Sequence, residues 1–352
     1  MDAKTTQKFL ASIRLDSHDQ VALLSAQNSY LARQLAAKAE SLHVFDLDFT
    51  TLREFSISVE TASSIHVYDS VFPPPEMIFE KAIIVSPKGR DYARMLLWSA
   101  YCSLKPGGLL YLLGANAEGI QSVITDAGRL FGTANTLVHK NRHRLGVAVK
   151  SAQNAPPAEW NDLTTEPQPR LIQTPLGDIQ IATMPGVFSW KNLDQGTTFL
   201  LAQAEVRKAA TGADVLDMGC GTGIIGCLLA PIARSVHMVD SNLLAVQCAR
   251  TSTEINHLEN VSVSPSDVYS AIGETRFDLI ISNPPFHQGF DTSREITQRI
   301  IAGASDALKP GGQLILVANG FLPYEALMQE RLSGVRSLAE DTQFKVLIGH
   351  KP

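Results

Sequence analysis

Long apolar runs are missing from this chain. No stretch of its 352 residues approaches the roughly 20 consecutive apolar positions that a membrane span needs. The first twenty residues hold no apolar h-region, so export is not expected and a cytoplasmic setting is. Cysteine is scarce: only Cys102, Cys220, Cys227 and Cys248, with no C-x-x-C pair. That argues against a disulfide framework or a zinc site, and predicts reduced thiols and no metal. A dominant charge is lacking too. The net value of −5 speaks against broad affinity for nucleic acid. The balance is uneven, however. Residues 1–153 carry 16 Lys+Arg against 14 Asp+Glu (+2), and residues 154–352 carry 14 against 21 (−7). A polyanion should prefer the first half, near Lys140-Asn141-Arg142-His143-Arg144 or near Lys88, Arg90 and Arg94.

What is present suffices for two domains. Hydrophobic residues make up 45%, enough for two cores. The stretch Ser151–Pro169 is rich in Pro, Ala and polar residues and holds no period. It divides the chain into an N-terminal domain over 1–153, a linker over 154–170 and a second domain over 171–352. Beyond it, Leu171–Ile181 reads as a hairpin turning at Pro175–Asp178.

An internal repeat crosses the break. Leu104-Lys105-Pro106-Gly107-Gly108 followed by Leu109–Asn116 parallels Leu308-Lys309-Pro310-Gly311-Gly312 followed by Gln313–Asn319. Ala82–Pro87 parallels Leu279–Pro284. The two halves read as copies of one α/β domain. The first copy has no glycine-rich loop, and where the second has Asn283-Pro284-Pro285 it has Ser86-Pro87-Lys88. One copy kept the chemistry; the other is expected to be a scaffold or an RNA-binding surface.

In the second copy, Ala213–Asp217 reads as a buried strand, followed by Met218-Gly219-Cys220-Gly221-Thr222-Gly223-Ile224-Ile225-Gly226 and an apolar helix over Cys227–Ala233. Strand, glycine turn and helix make a nucleotide-binding βα unit. The spacing matches a dinucleotide fingerprint, which alone is a weak signal. Asp217 sits poorly beside a pyrophosphate and better beside a cationic or amine-bearing ligand. Asp240, 17 residues after Gly223, can accept both ribose hydroxyls. Asp267, after the strand Val261–Val263, can take an adenine amino group. Together they describe S-adenosylmethionine, a sulfonium cation carrying adenosine.

The run Phe277–Ser282 reads as a buried strand, and Asn283-Pro284-Pro285-Phe286 must end it, because neither proline has an N–H to give. The Asn283 side-chain oxygen and the Pro284 carbonyl then stand at the carboxyl edge of a sheet, where α/β ligands bind. Two acceptors and the ring of Phe286 suit a planar base with an exocyclic amine. Accepting from both of its N–H groups favours a more tetrahedral, more nucleophilic nitrogen. A role for Pro285 and His287 against the substrate follows from position. A second cluster, Met184–Thr198, contains Phe188 and a helix start at Asp194.

These residues resemble those of class I methyltransferases in order and spacing over roughly residues 184–350. The resemblance implies an S-adenosylmethionine cofactor, with Asp217, Gly219, Gly221 and Gly223 at its methionine part, Asp240 at the ribose and Asp267 at the adenine. It implies that Phe188, Asp194 and Gly196 lie where the chain closes over the cofactor. It also implies two tandem Rossmann-like α/β domains, each a mostly parallel sheet, with seven strands and an antiparallel C-terminal strand in the catalytic copy. The asparagine motif serves adenine N6, guanine N2 and glutamine amines alike. A degenerate copy fused ahead of a catalytic one resembles the RsmC/RlmG group of ribosomal RNA guanine-N2 methyltransferases. Pro185–Ser189, Asn283–Gly289 and Val317–Tyr324 look most like its RsmC branch. That implies N2-methylation of one guanosine in 16S rRNA by a monomer, on naked RNA or on the 30S subunit. Gln195-Gly196-Thr197-Thr198 departs from the hydrophobic-glycine-small pattern of that group. Other amines, or an RNA-binding protein with a vestigial cofactor site, stay open at this point.

Overall fold

Val, Ile and Leu dominate the runs 21–24, 82–84, 110–113, 215–216, 279–281 and 314–317, and these become the buried central strands of two sheets. The computed structural model describes residues 3–26, 29–59, 64–152, 155–160, 162–285, 290–320 and 322–352. It divides into two units, Met1–Glu166 and Pro167–Pro352.

The first unit runs α1 (Ala3–Ser12), β1 (Gln20–Leu24), α2 (Ser29–Ala36), β2 (Ser41–Phe45), α3 (Phe49–Val59), β3 (Ile65–Val67), β4 (Phe79–Val85), α4 (Arg90–Ser103), β5 (Leu104–Ala115), α5 (Ile120–Phe131), β6 (Ala134–Lys140) and β7 (His143–Val149). The second opens with a hairpin, β8 (Gln168–Thr174) and β9 (Gly177–Thr183), then α6 (Gln195–Leu201) and α7 (Ala204–Ala210). There follow β10 (Asp214–Met218), α8 (Ile224–Leu229), β11 (Ser235–Asp240), α9 (Leu243–Ile255), β12 (Val261–Pro265), β13 (Phe277–Ser282), α10 (Phe290–Ala307), β14 (Leu308–Asn319), α11 (Tyr324–Gln329), β15 (Ser333–Glu340) and β16 (Phe344–His350).

The two seven-stranded sheets have the same order, β3-β2-β1-β4-β5-β7-β6 and β12-β11-β10-β13-β14-β16-β15. All neighbours are parallel except those of β7 and β16, the one reversed strand in each sheet. The duplication read from the Pro-Gly-Gly repeat is therefore a duplication of topology.

Alternation along β10 and β13 builds the second unit's core on two faces. Val215, Leu279 and Ile281 join one cluster, and Leu216, Met218 and Ile280 the other. Burying each such side chain stabilises by about 1.5–3 kcal/mol. Chain order reverses between β10 and β13, which pair side by side with Met218 opposite Ser282. The loops after these two strands are thereby neighbours, at the switch point where α/β sheets bind ligands.

The segment 154–170 is not one free linker. A 3-10 turn at Ala158–Trp160 buries Trp160 completely, with the Arg94 guanidinium 4.6 Å from its ring centroid. Pairing in β8 begins at Gln168 and runs to Thr174, ahead of the expected start at Leu171. Proline and alanine content signalled the break in pattern; a single tryptophan with a cation partner gave part of it a packed place. The helix expected at Cys227–Ala233 begins three residues earlier, because Gly223 caps it.

Candidate active site

Backbone glycine opens the site. Gly219 (φ 74°) and Gly221 (φ 55°) take left-handed conformations, and a Cβ on either would meet no atom within 4 Å. Both border an open cleft of about 590 Å³, its mouth included. Phe188, Trp190, Asp194, Thr197, Thr222, Ile225 and Asn283 complete its wall. Two segments 89 residues apart in sequence, Asp194–Thr197 and Asn283, meet here.

Asp194 is the N-cap of α6, its Oδ2 accepting from the Thr197 N–H at 2.8 Å. The same oxygen accepts from Asn283 Nδ2 at 2.8 Å, and Thr197 Oγ1 accepts from that nitrogen at 2.7 Å. A carboxylate can only accept, so the amide nitrogen must face Asp194. Both of its N–H bonds are used, and Oδ1 is left as an acceptor at the cleft. Gly196 makes this approach feasible: a Cβ there would lie 3.1 Å from Asp194 Oδ2, 3.3 Å from Phe344 Cε1 and 3.5 Å from Asn283 Oδ1. Thr197 was not singled out in the sequence. Its position three residues after a capping aspartate was the available signal. Trp190 was also missed, for want of any pattern around it. Its carbonyl accepts from Thr183 Oγ1 at 3.1 Å, fixing it at the cleft rim.

Asp217, next to last in β10, is fully buried, with Oδ2 accepting from the Gly226 N–H at 2.9 Å. Its Oδ1 is buried without a hydrogen-bond partner. Burial pushes its carboxyl up to about 7, and the Asp240 charge adds to this while the Gly226 bond opposes it. Asp240 braces the loop: Oδ2 accepts from the Gly221 N–H and Oδ1 from the Asn242 N–H, each at 2.8 Å. Asn242 in turn donates to the Gly186 carbonyl at 2.8 Å, tying the Pro185-Gly186 turn to α9. Gly223 faces inward; a Cβ there would lie 3.0 Å from Met238 Sδ and 3.1 Å from Ala249. Asp267 is held by Arg299 at 2.8 Å. Asp217, Gly223, Asp240 and Asp267 are therefore not among the residues lining the cleft. Pro284 is buried and Pro285 half-buried. Phe286 and His287 lie outside the described residues. Burial raises the Cys220 thiol well above its ordinary range, which disfavours the thiolate.

These features fit an adenosyl sulfonium. Gly219 and Gly221 present bare backbone to the cleft, Asp217 two residues before Gly219 keeps a buried carboxylate oxygen without a partner, and Asp240 and Asp267 stand at or just after the ends of β11 and β12. Among the described residues no cluster of His, Cys, Asp and Glu could hold a metal, and no helix is long and apolar enough to cross a membrane.

Known proteins carry the same pattern. The methyltransferase small domain family matches residues 178–348, and its N-terminal companion, the methyltransferase small domain N-terminal family, matches 13–141. A ribosomal RNA small subunit methyltransferase C of Hahella chejuensis is 35% identical over 280 residues, 78% of each chain. The protein of that name from Shewanella sediminis is 30% identical over 347 residues, 97% of this chain and 96% of its own. Among solved structures, the T. thermophilus 16S rRNA N2 G1207 methyltransferase (RsmC), in complex with AdoMet and guanosine, superposes with a TM-score of 0.82. It is 25% identical and covers 99% of this chain and 92% of its own.

Proposed function

We infer, from the premise that this chain belongs to the ribosomal RNA small subunit methyltransferase C family, that it methylates N2 of a guanosine in 16S rRNA. S-adenosylmethionine is the donor; bound, it supplies an electrophilic methyl group on a sulfonium. The observation that carries the reading is the fixed amide of Asn283, whose nitrogen is consumed by Asp194 and Thr197.

The chain's own work is to place and prepare the amine. Asn283 Oδ1 and the Pro284 carbonyl accept from the two N–H bonds of the base's amino group. Drawing those hydrogens out of the ring plane returns lone-pair density to nitrogen. By its place in the motif Phe286 is assigned to stack on the base, a contact worth about 1–3 kcal/mol, and Phe188, Pro285 and His287 are assigned to the substrate. Gly219 and Gly221 admit the donor's methionine part close to the backbone, and a bound cation would favour the ionised form of the buried Asp217 carboxyl. Asp240 and Asp267 keep lone pairs beyond those already used, for ribose hydroxyls and adenine amine. A general base is not needed before transfer, since the proton leaves from a cationic nitrogen afterwards.

The protein acts as a two-domain monomer in the cytoplasm. Mass-spectrometric mapping of 16S rRNA, before and after treatment with the protein and donor, tests the reading. New N2-methylguanosine is expected. Methyl groups on adenine N6, or on protein glutamine alone, would replace the substrate. Parallel reactions on naked 16S rRNA and on 30S subunits identify the form acted upon.

A further inference from the structure

With the chemistry placed in the second unit, the first needs a task of its own. Its two cationic clusters differ in what they are free to do. Arg90 spends a forked pair of hydrogen bonds, 2.8 and 2.7 Å, on Asp126. Arg94 is committed to the Trp160 ring. The other cluster is the tip of the β6–β7 hairpin. Across Ala134–Val149 there is no carboxylate, and His139, Lys140, Arg142, His143 and Arg144 fall within six residues.

This tip is built, not loose. The Asn116 N–H donates to the Arg142 carbonyl at 2.7 Å, and Arg144 Nε donates to Asn116 Oδ1 at 3.0 Å. His139 Nε2 lies 3.3 Å from Asn116 Nδ2, and His143 Nδ1 lies 2.7 Å from the Asn141 carbonyl. Asn141 Nδ2 donates to Thr5 Oγ1 at 2.9 Å. Glu118, in the short turn that begins at Asn116, is the one acid in that anchoring segment. The turn itself is left-handed at both central residues, Asn141 (φ 49°) and Arg142 (φ 60°). Such two-residue turns favour Asn-Gly, and glycine would be the better choice for folding. An arginine kept in a conformation that disfavours it points to a use for its side chain.

The duplication supplies an internal comparison. The matching tip in the second unit reads Glu340-Asp341-Thr342-Gln343, and Lys345 lies 3.7 Å from Glu340. Both tips stand at the carboxyl edge of their sheets, with His143 paired to Ala115 and Phe344 to Asn319. One tip carries two acids, Glu340 and Asp341, and the other has none.

We propose that the β6–β7 tip is a docking surface for the phosphate backbone of RNA, with Lys140, Arg142 and Arg144 each meeting a phosphate. The proposal rests on the reading of the chain as a ribosomal RNA methyltransferase. Contacts of this kind fix position and register and carry no base information.

The test uses the full chain with Lys140→Ala, Arg142→Ala and Arg144→Ala combined. Methyl transfer to its ribosomal substrate and binding to naked 16S rRNA are measured over a salt series, with S-adenosylhomocysteine affinity as the control for folding. The KM for RNA should rise roughly tenfold, with kcat at saturating RNA and cofactor affinity unchanged. The slope of log affinity against log salt should fall by roughly 2–3 for three lost phosphate contacts. Arg142→Gly should raise the melting temperature and still weaken RNA binding, which a purely structural role for Arg142 would not produce. Arg142→Lys should retain most of the binding. An unchanged RNA KM and salt slope in an active protein would overturn the hairpin assignment alone. A defect on 30S subunits with none on naked RNA would assign the tip to a protein and overturn it too. A wild-type protein that methylates no RNA would remove the parent reading and this proposal together.

Discussion

At the residue scale the site turns on one amide. Asn283 was legible in the sequence because two prolines after a buried run force a strand to stop. What the sequence did not contain was the direction of the amide, which depends on Asp194 and Thr197 from a distant helix start. Asn283→Ala should lower kcat by roughly a hundredfold or more, as loss of a reaction-specific acceptor does, and leave S-adenosylhomocysteine affinity intact by calorimetry. Thr197→Ala removes one of two bonds that aim the amide. It should cost roughly five- to tenfold in kcat, and Thr197→Ser should restore it; equal losses in both variants would rule out hydroxyl positioning. Asp217 carries a pH signature. Its folded pKa of about 7 lies above the unfolded value of about 3.9. The native state therefore holds its proton more tightly. The resulting stability is complete below about pH 4 and is lost as pH rises through about 7, a few kcal/mol in all. Asp217→Asn should flatten this part of the melting temperature profile between about pH 4 and 7. A variant whose profile parallels the wild type would exclude Asp217 as the source.

At the element scale, strands and glycine turns were readable and side-chain partnerships were not. Buried runs such as Leu279–Ser282 announce themselves by composition, and the repeat of Leu-Lys-Pro-Gly-Gly announced the copy. Asp240 and Asp267 were read as ligand groups from strand-end position alone. The structure shows Asp240 bracing the glycine loop through Gly221 and Asn242, and Asp267 paired with Arg299. The links to Gly221 and Arg299 span 19 and 32 residues and leave no local pattern. Trp160 teaches the same point in a segment that composition marked as a linker. It is completely buried beneath Arg94, so Trp160→Ala should destabilise the first unit by about 3–5 kcal/mol. Denaturant unfolding would show this as a lower midpoint, and an unchanged midpoint would mean that the segment contributes nothing to the first unit.

At the scale of the whole molecule, one topology is used twice with unequal equipment. The first copy keeps Asp46 at the end of β2, where the second has Asp240, and each aspartate accepts from the N–H two residues on, at 2.9 and 2.8 Å. It lacks the glycine loop and places Ser86 where Asn283 stands. Calorimetric titration with S-adenosylhomocysteine should therefore give one site per chain. Two sites of similar affinity would mean that the first copy has kept a nucleoside pocket that its sequence conceals.

The bond between Asn283 and Pro284 also bears on how the protein ages. Asparagine usually deamidates when the nitrogen of the next residue attacks its side chain to close a five-membered imide. A proline nitrogen has no hydrogen to lose and cannot close that ring. The other route, attack by the amide nitrogen on its own carbonyl with chain cleavage, needs the nitrogen that Asp194 and Thr197 hold. The chain carries its own comparator in Asn319-Gly320, where the following residue does have an N–H to lose, one that donates to the Gln343 carbonyl at 2.9 Å. Peptide mass spectra of protein stored warm at mildly alkaline pH should show Asn319 gaining about one mass unit long before Asn283 changes. The asparagine that aims the amine is thus guarded against both routes by its neighbours in sequence and in space.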